Sequence, residues 1–266
     1  MKKTYLTLIQ FSLILLFPLF TFADKAPEIK LVTGEMPPFV GKDLPQKGAM
    51  SEVVITAFNK IKIPVVIDFR PWARGYSETK ENLFFGTFPY VKTPEREKDF
   101  YFSTPIYTVK PKLFIRTDIV AKNKTPKLSE LLDLRLCSPI GFAVNKDLIE
   151  KFPSLEKNHL EPLDLPSCAQ MLLQKRADYF IVNTDQGRAA LKKVDGEKEI
   201  QIVDLGLRTN EYYLIVPKTN KNALTILNQF NSEIQKMKKS GEVQKILRQH
   251  FSKHFMEYRS IELAGF

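Results

Sequence analysis

Glu28-Ile29-Lys30-Leu31-Val32-Thr33 is the stretch from which the fold is read. It has the character of a strand and runs into the turn-forming residues Gly34-Glu35-Met36-Pro37-Pro38-Phe39. Beyond the turn, Gly48 to Ile61 carries apolar side chains at Met50, Val53, Val54, Ala57, Phe58 and Ile61. That is the i, i+3, i+4 spacing of a helix packed on one face. Pro64 to Phe69 reads as a second strand, Trp72 to Lys80 as a short helix and Asn82 to Thr87 as a third strand. This βαβαβ order predicts an α/β fold with a parallel sheet, helices on both faces and a ligand site beyond the carboxyl ends of the strands.

After Pro105 the pattern restarts. Lys112 to Arg116 is an extended run suited to crossing between two lobes. Leu128 to Leu132 reads as a short helix, Leu134 to Cys137 as a strand, and Phe142 to Phe152 and Cys168 to Lys175 as helices. Ala177 to Val182 is a strand and Asp185 to Lys193 a helix; Glu211 to Pro217 is a late strand that should return to the first lobe. Asn222 to Met237 and Gly241 to Phe251 close the chain as helices. The expected division is residues 24–113 with 208–266 as one lobe, 114–207 as the other, and a cleft between them.

The amino-terminal 23 residues read as an address. Lys2 and Lys3 precede an interrupted apolar run from Leu6 to Phe22, and Thr21-Phe22-Ala23 places small residues where a signal peptidase reads. A mature chain beginning at Asp24 in the periplasm is expected, without the cysteine that lipid attachment needs. The alternative is a retained anchor, for which the broken run is marginal. Export gives Cys137 and Cys168 a meaning, because an oxidising compartment favours their pairing; two buried free thiols are the alternative. His159, His250 and His254 lack metal-ligand spacing such as HExxH, so no metal and no cofactor are expected.

The 266 residues carry 40 Lys+Arg against 30 Asp+Glu, a formal +10. The surplus lysines scatter over predicted helix faces, with runs at Lys122 to Lys127 and Lys236 to Lys239, and no base-reading helix or RNA-type aromatic motif accompanies them. Nucleic acid is therefore not an expected partner. A mild pull on anionic solutes is.

Thr93-Pro94-Glu95-Arg96-Glu97, followed by Phe100-Tyr101-Phe102-Ser103-Thr104-Pro105-Ile106-Tyr107, resembles the signature of the family 3 extracellular solute-binding proteins, the substrate-binding subunits of polar amino-acid ABC importers. Gly34 to Phe39, Pro71-Trp72-Ala73-Arg74 and Lys239-Ser240-Gly241-Glu242 with Ile246-Leu247 match in the same order. The resemblance implies a two-lobed, type II periplasmic-binding-protein fold. Each lobe would be a mixed, mostly parallel sheet flanked by helices, with two crossings. It implies no catalysis, an inner-membrane ABC permease as partner, and a monomer.

Thr93 suits an N-cap and Pro94 the first helical position, so the turn can offer backbone N–H groups and a guanidinium to one anion. The resemblance makes Arg96 the group that grips the ligand's carboxylate, a task to which a bidentate guanidinium is fitted. It makes Trp72 an aromatic wall, for which a core anchor is an equal reading, and places Glu35, Phe39, Tyr90 and Val91 at the strand ends nearby. In the second lobe it implies a glycine-centred loop at Gly141, with Phe142 and Ala143 where hydroxyl side chains are common, and a ligand contact at Asn183. Family members that bind α-amino acids usually present an aspartate at that position. Val91 and Pro89 likewise replace hydroxyl-bearing residues. A carboxylate-bearing solute, anionic or zwitterionic, follows from this set; recognition of an ammonium does not. The rival class is an enzyme on the same fold resembling cyclohexadienyl dehydratases, with Glu35 or Asp185 as the acid.

Overall fold

The computed structural model describes residues 28–120 and 124–250. The segment read as a signal peptide, residues 1–23, and His254 lie outside them.

The first lobe is built on a six-stranded sheet. In chain order its early elements are β1 (Ile29–Thr33), α1 (Ala49–Lys60), β2 (Val65–Phe69), α2 (Trp72–Lys80), β3 (Gly86–Tyr90), α3 (Pro94–Asp99), β4 (Phe100–Phe102) and β5 (Tyr107–Val109). β1 lies between β2 and β3 and is parallel to both, with Leu31 opposite Ile67 and Gly86. The second lobe contains β6 (Pro111–Arg116), α4 (Lys146–Lys151), α5 (Leu165–Leu173), β7 (Tyr179–Asn183), α6 (Thr184–Lys192) and β8 (Ile200–Val203). The chain then returns in β9 (Asn210–Pro217), which pairs antiparallel with β3, β4 and β5, and ends in α7 (Ala223–Lys239) and α8 (Glu242–His250).

The helical spacing read in the sequence accounts for α1. Met50, Val53, Val54, Ala57 and Phe58 are all fully buried, and the Phe58 ring lies 4.9 Å from that of Phe230 on α7. Each such buried side chain contributes about 1.5–3 kcal/mol, so this one face docks the helix. In β6 the strand period of two sends Leu113 and Ile115 to one side of the sheet and Phe114 to the other. Phe114 stacks on Phe180 at 4.8 Å, in the core that also contains Cys137 and Cys168. Those two cysteines form a disulfide.

Several sequence expectations are corrected. The third strand is Gly86–Tyr90 rather than Asn82–Thr87, because Asn82 takes a positive φ of 62° and turns the chain. Pro89 lies inside the strand, where the pairing with β9 is irregular between Thr87 and Tyr90 and a residue without an N–H is tolerated. The second sheet is antiparallel rather than mostly parallel: β6 pairs antiparallel with both β7 and β8. β6 leaves the cleft at Pro111 and β7 arrives at it at Asn183, its register partner, so the two must run in opposite senses. Parallel pairing survives only as isolated bridges from Leu136 to Tyr179 and Cys137 to Leu160, where a strand had been expected. The helix expected over Phe142–Phe152 begins only at Lys146, where the Asn145 side chain accepts from the Asp147 N–H at 3.0 Å. β4, β5 and β8 are too short to have been read.

Asp178 ties the second lobe together. Its buried carboxylate accepts from Arg135 Nε and Nη2 and from Arg116 Nη1, each at 2.8 Å. The Arg135 hydrogen bonds, with the Arg116 charge adding, hold this carboxyl below the usual carboxylate range. Its contribution to stability is therefore complete above the unfolded value of about 3.9 and is lost as pH falls through the folded value. Asp178→Asn is expected to cost about 3–5 kcal/mol at neutral pH and to flatten the acid limb of the unfolding profile, as followed by circular dichroism. Reducing the disulfide, which closes a sequence separation of 31 residues, is expected to cost about 3–4 kcal/mol and to lower the melting temperature.

Candidate functional site

The carboxyl ends of β3 and β7, the start of β9 and the loop at Gly141 converge on a cleft between the sheets. Its walls include Trp72, Tyr90, Val91, Arg96, Gly141, Phe142, Ala143, Asn183, Gln186 and Tyr212. Its empty volume is about 530 Å³, counted out to the open mouth. Among the described residues Arg96 is its only charged lining residue.

Arg96 stands in the first turn of α3. Thr93 caps that turn, accepting from the Arg96 N–H at 3.2 Å, and Pro94 takes the first helical position. The Glu97 N–H bonds the Thr93 carbonyl, so the capping turn consumes amides that the sequence reading had offered to an anion. The Arg96 guanidinium lines the cleft. Its Nη1 donates to the Val91 carbonyl at 2.9 Å and its Nη2 to the Gly141 carbonyl at 3.1 Å, one bond to each lobe. It lies 4.7 Å from the Tyr90 ring centroid, a cation–π contact. Among the described residues no carboxylate comes within ion-pair distance of it. Burial lowers the Arg96 pKa, the sign expected of a cation removed from water without a counter-ion.

Trp72 opens α2 and lies half-buried between the lobes. Its Nε1 donates to the Glu35 carbonyl at 3.2 Å, and its ring meets Tyr90 edge-on at 5.6 Å and Phe142 edge-on at 6.0 Å. It is thus both a wall of the cleft and packed against the first core. Tyr90 is buried, donates to the Trp72 carbonyl at 3.2 Å, and burial raises its pKa. Gly141 has φ +84°, and a Cβ there would sit 3.0 Å from that of Trp72; the position needs glycine both for its conformation and for the approach of the lobes. The helix expected directly after it is five residues away, so no helix N-terminus faces the ligand at this loop.

Two first-lobe candidates lie elsewhere. Phe39 is fully buried in the core and packs on Tyr107 at 5.4 Å, because the turn 36–40 folds back against α1. The Glu35 carboxylate is exposed and accepts from the Lys42 N–H at 3.0 Å, bracing its own turn. Arg74 pairs with Glu78 at 2.6 Å on the surface of α2.

Asn183 lines the cleft, but its side chain is spent on α6. Its Oδ1 accepts from the Gln186 N–H at 3.0 Å, which fixes Nδ2 as the donor to Gln186 Oε1. That in turn leaves Gln186 Nε2 without a partner, on a side chain only 2% exposed. Tyr212, whose hydroxyl is 3.5 Å from the same Oε1, has its pKa pushed up to about 12 by burial. Gln186, Tyr212, Met36 and Asn210 escaped the sequence reading. Gln186 alone left a signal, since Asn183-Thr184-Asp185-Gln186 has the spacing of a capping box.

A model of the bacterial extracellular solute-binding proteins, family 3, matches residues 31–253. The chain belongs to that family. No curated protein sequence matches it. Among solved structures, an ancestral arginine-binding protein bound to arginine is 16% identical with a TM-score of 0.71, covering 86% of this chain and 100% of that one. A substrate-binding protein of an ABC uptake transporter from Streptococcus pneumoniae, with bound histidine, is 17% identical with a TM-score of 0.68, covering 86% and 94%. A histidine kinase sensor domain with similarity to periplasmic binding proteins is 15% identical with a TM-score of 0.71, covering 86% and 98%. At such identities the likeness shows the fold, the two-lobed type II architecture. The family and its neighbours are mainly binding proteins, not enzymes, and they extend from transport to sensing.

In this family member the aromatic wall depends on a missing side chain. A Cβ at Gly34 would lie 2.4 Å from the Trp72 indole. Gly34→Ala is expected to displace that ring, costing about 1–3 kcal/mol and shifting the emission of the chain's single tryptophan, measured by thermal melting and fluorescence.

Proposed function

We propose that this chain is the substrate-binding protein of an ABC importer, capturing a small carboxylate-bearing solute in the interlobe cleft. The supporting observation is the half-buried Arg96 guanidinium, which has hydrogen-bond partners in both lobes and no carboxylate partner among the described residues. A ligand carboxylate supplies the missing charge, and two parallel N–H···O bonds would orient it. Closure is a hinge motion about the paired segments of β5 and β9, where Tyr107 faces Tyr212. The closed form is then what a membrane permease would receive. Export through residues 1–23, residence in the periplasm and action as a monomer complete the proposal, with the expected lobe boundary after residue 113 moved to just before Pro111, because β6 pairs with β7 from Pro111 onward.

Titration calorimetry with a panel of small carboxylates tests it. Arg96→Ala is expected to weaken the binding of any ligand by roughly 30-fold or more, because the anion would then be buried without its counter-ion. Full affinity in that variant would sink the clamp.

A further inference from the structure

Beyond Trp72 and Phe142 the cleft adjoins a second, larger chamber with an empty volume of about 1100 Å³, counted out to its mouth. The two spaces share Met36, Trp72, Phe142 and Gln186 as walls. The second is lined chiefly by apolar groups, among them Phe69, Leu165 and Ala189, with Leu163 standing 68% exposed at its rim. Three of its charged neighbours are engaged on their own elements. Glu35 accepts from the Lys42 N–H, Asp164 caps α5 through the Ser167 N–H at 2.8 Å, and Arg70 pairs with Asp68 and Glu78. Lys193 is exposed.

The polar side of the Arg96 cleft is equally selective. Among the described residues no aspartate or glutamate lines it. The Asn183 oxygen is taken by the Gln186 N–H, and the Gln186 oxygen by Asn183 and Tyr212. Gln186, which lines both chambers, carries a buried donor without a partner, Nε2. A donor can serve a ligand oxygen but not an ammonium. An ammonium brought into this space would lose its water without gaining a counter-charge from any described lining residue, whereas a carboxylate gains the Arg96 guanidinium.

We propose that the ligand is a monocarboxylate without an ammonium on its α-carbon, whose apolar tail extends past Trp72 and Phe142 into the second chamber. The proposal rests on the carboxylate clamp at Arg96 and narrows it. Arg96 and Gln186 Nε2 hold the head, and the tail is covered by Phe69, Leu165 and Ala189. Burial of each further methylene in the chamber strengthens binding, so affinity rises with chain length until the chamber is filled.

The test uses octanoate, its α-amino counterpart 2-aminooctanoate, and butanoate as a short control. Binding to the mature protein is measured by calorimetry and by the emission of Trp72, the chain's single tryptophan. Octanoate is expected to bind roughly tenfold or more tightly than either of the others, to perturb Trp72, and to lose its advantage over butanoate in Ala189→Phe, with folding checked by melting. If 2-aminooctanoate binds as well as octanoate, or octanoate no better than butanoate, while Arg96→Ala still abolishes binding, the tail proposal is overturned and the clamp stands. Binding insensitive to Arg96→Ala overturns both, whereas no binding of any of the three overturns the tail proposal alone.

Discussion

A half-buried guanidinium, with no carboxylate within ion-pair distance among the described residues, is the constraint around which the cleft is arranged. Drawing such a charge partly out of water is unfavourable, and here the Val91 carbonyl, the Gly141 carbonyl and the face of Tyr90 offset that. Val91 follows β3 in the first lobe, whereas Gly141 belongs to the second. Shielding the charge and bringing the lobes together are therefore one event. Separating the lobes returns one side of Arg96 to water, and an arriving carboxylate competes with the Gly141 carbonyl for the same donors.

Around that charge the cleft is uniformly neutral. Pro89 and Val91 carry no hydroxyl, Asn183 carries no charge, and its amide is committed to starting α6. Phe142 and Ala143, beside Gly141, likewise bring no hydroxyl to the cleft, so its side chains offer little besides the Arg96 guanidinium to a polar ligand.

The first half of the chain was legible because its signals are local. The α1 stripe, the Thr93-Pro94 cap and the β1 turn each depend on residues a few positions apart, and each was read within a residue or two. β3 was misplaced because Leu83-Phe84-Phe85 has the apolarity of a strand, while Pro89 disguises the real one. In the second lobe the order depends on long-range partners. Leu136 and Cys137 make only bridges, and the helix after Gly141 waits for the Asn145 cap. In the site, Arg96 was found through its motif, whereas Tyr212 arrives from a strand more than a hundred residues later and offers no local sign. Phe39 was misassigned because a turn beside a cleft can point its aromatic residue inward as readily as toward ligand.

The pairing of Gly34 with Trp72 reaches beyond stability. The indole occupies the space a side chain at position 34 would need, so the two positions are not free to drift separately. A lineage that acquires a side chain at 34 while the tryptophan remains pays a steric penalty; one that first exchanges the tryptophan for a smaller residue does not. Divergence of the aromatic wall, and with it a change in what the cleft accepts, therefore has a preferred historical order, with position 72 changing before position 34.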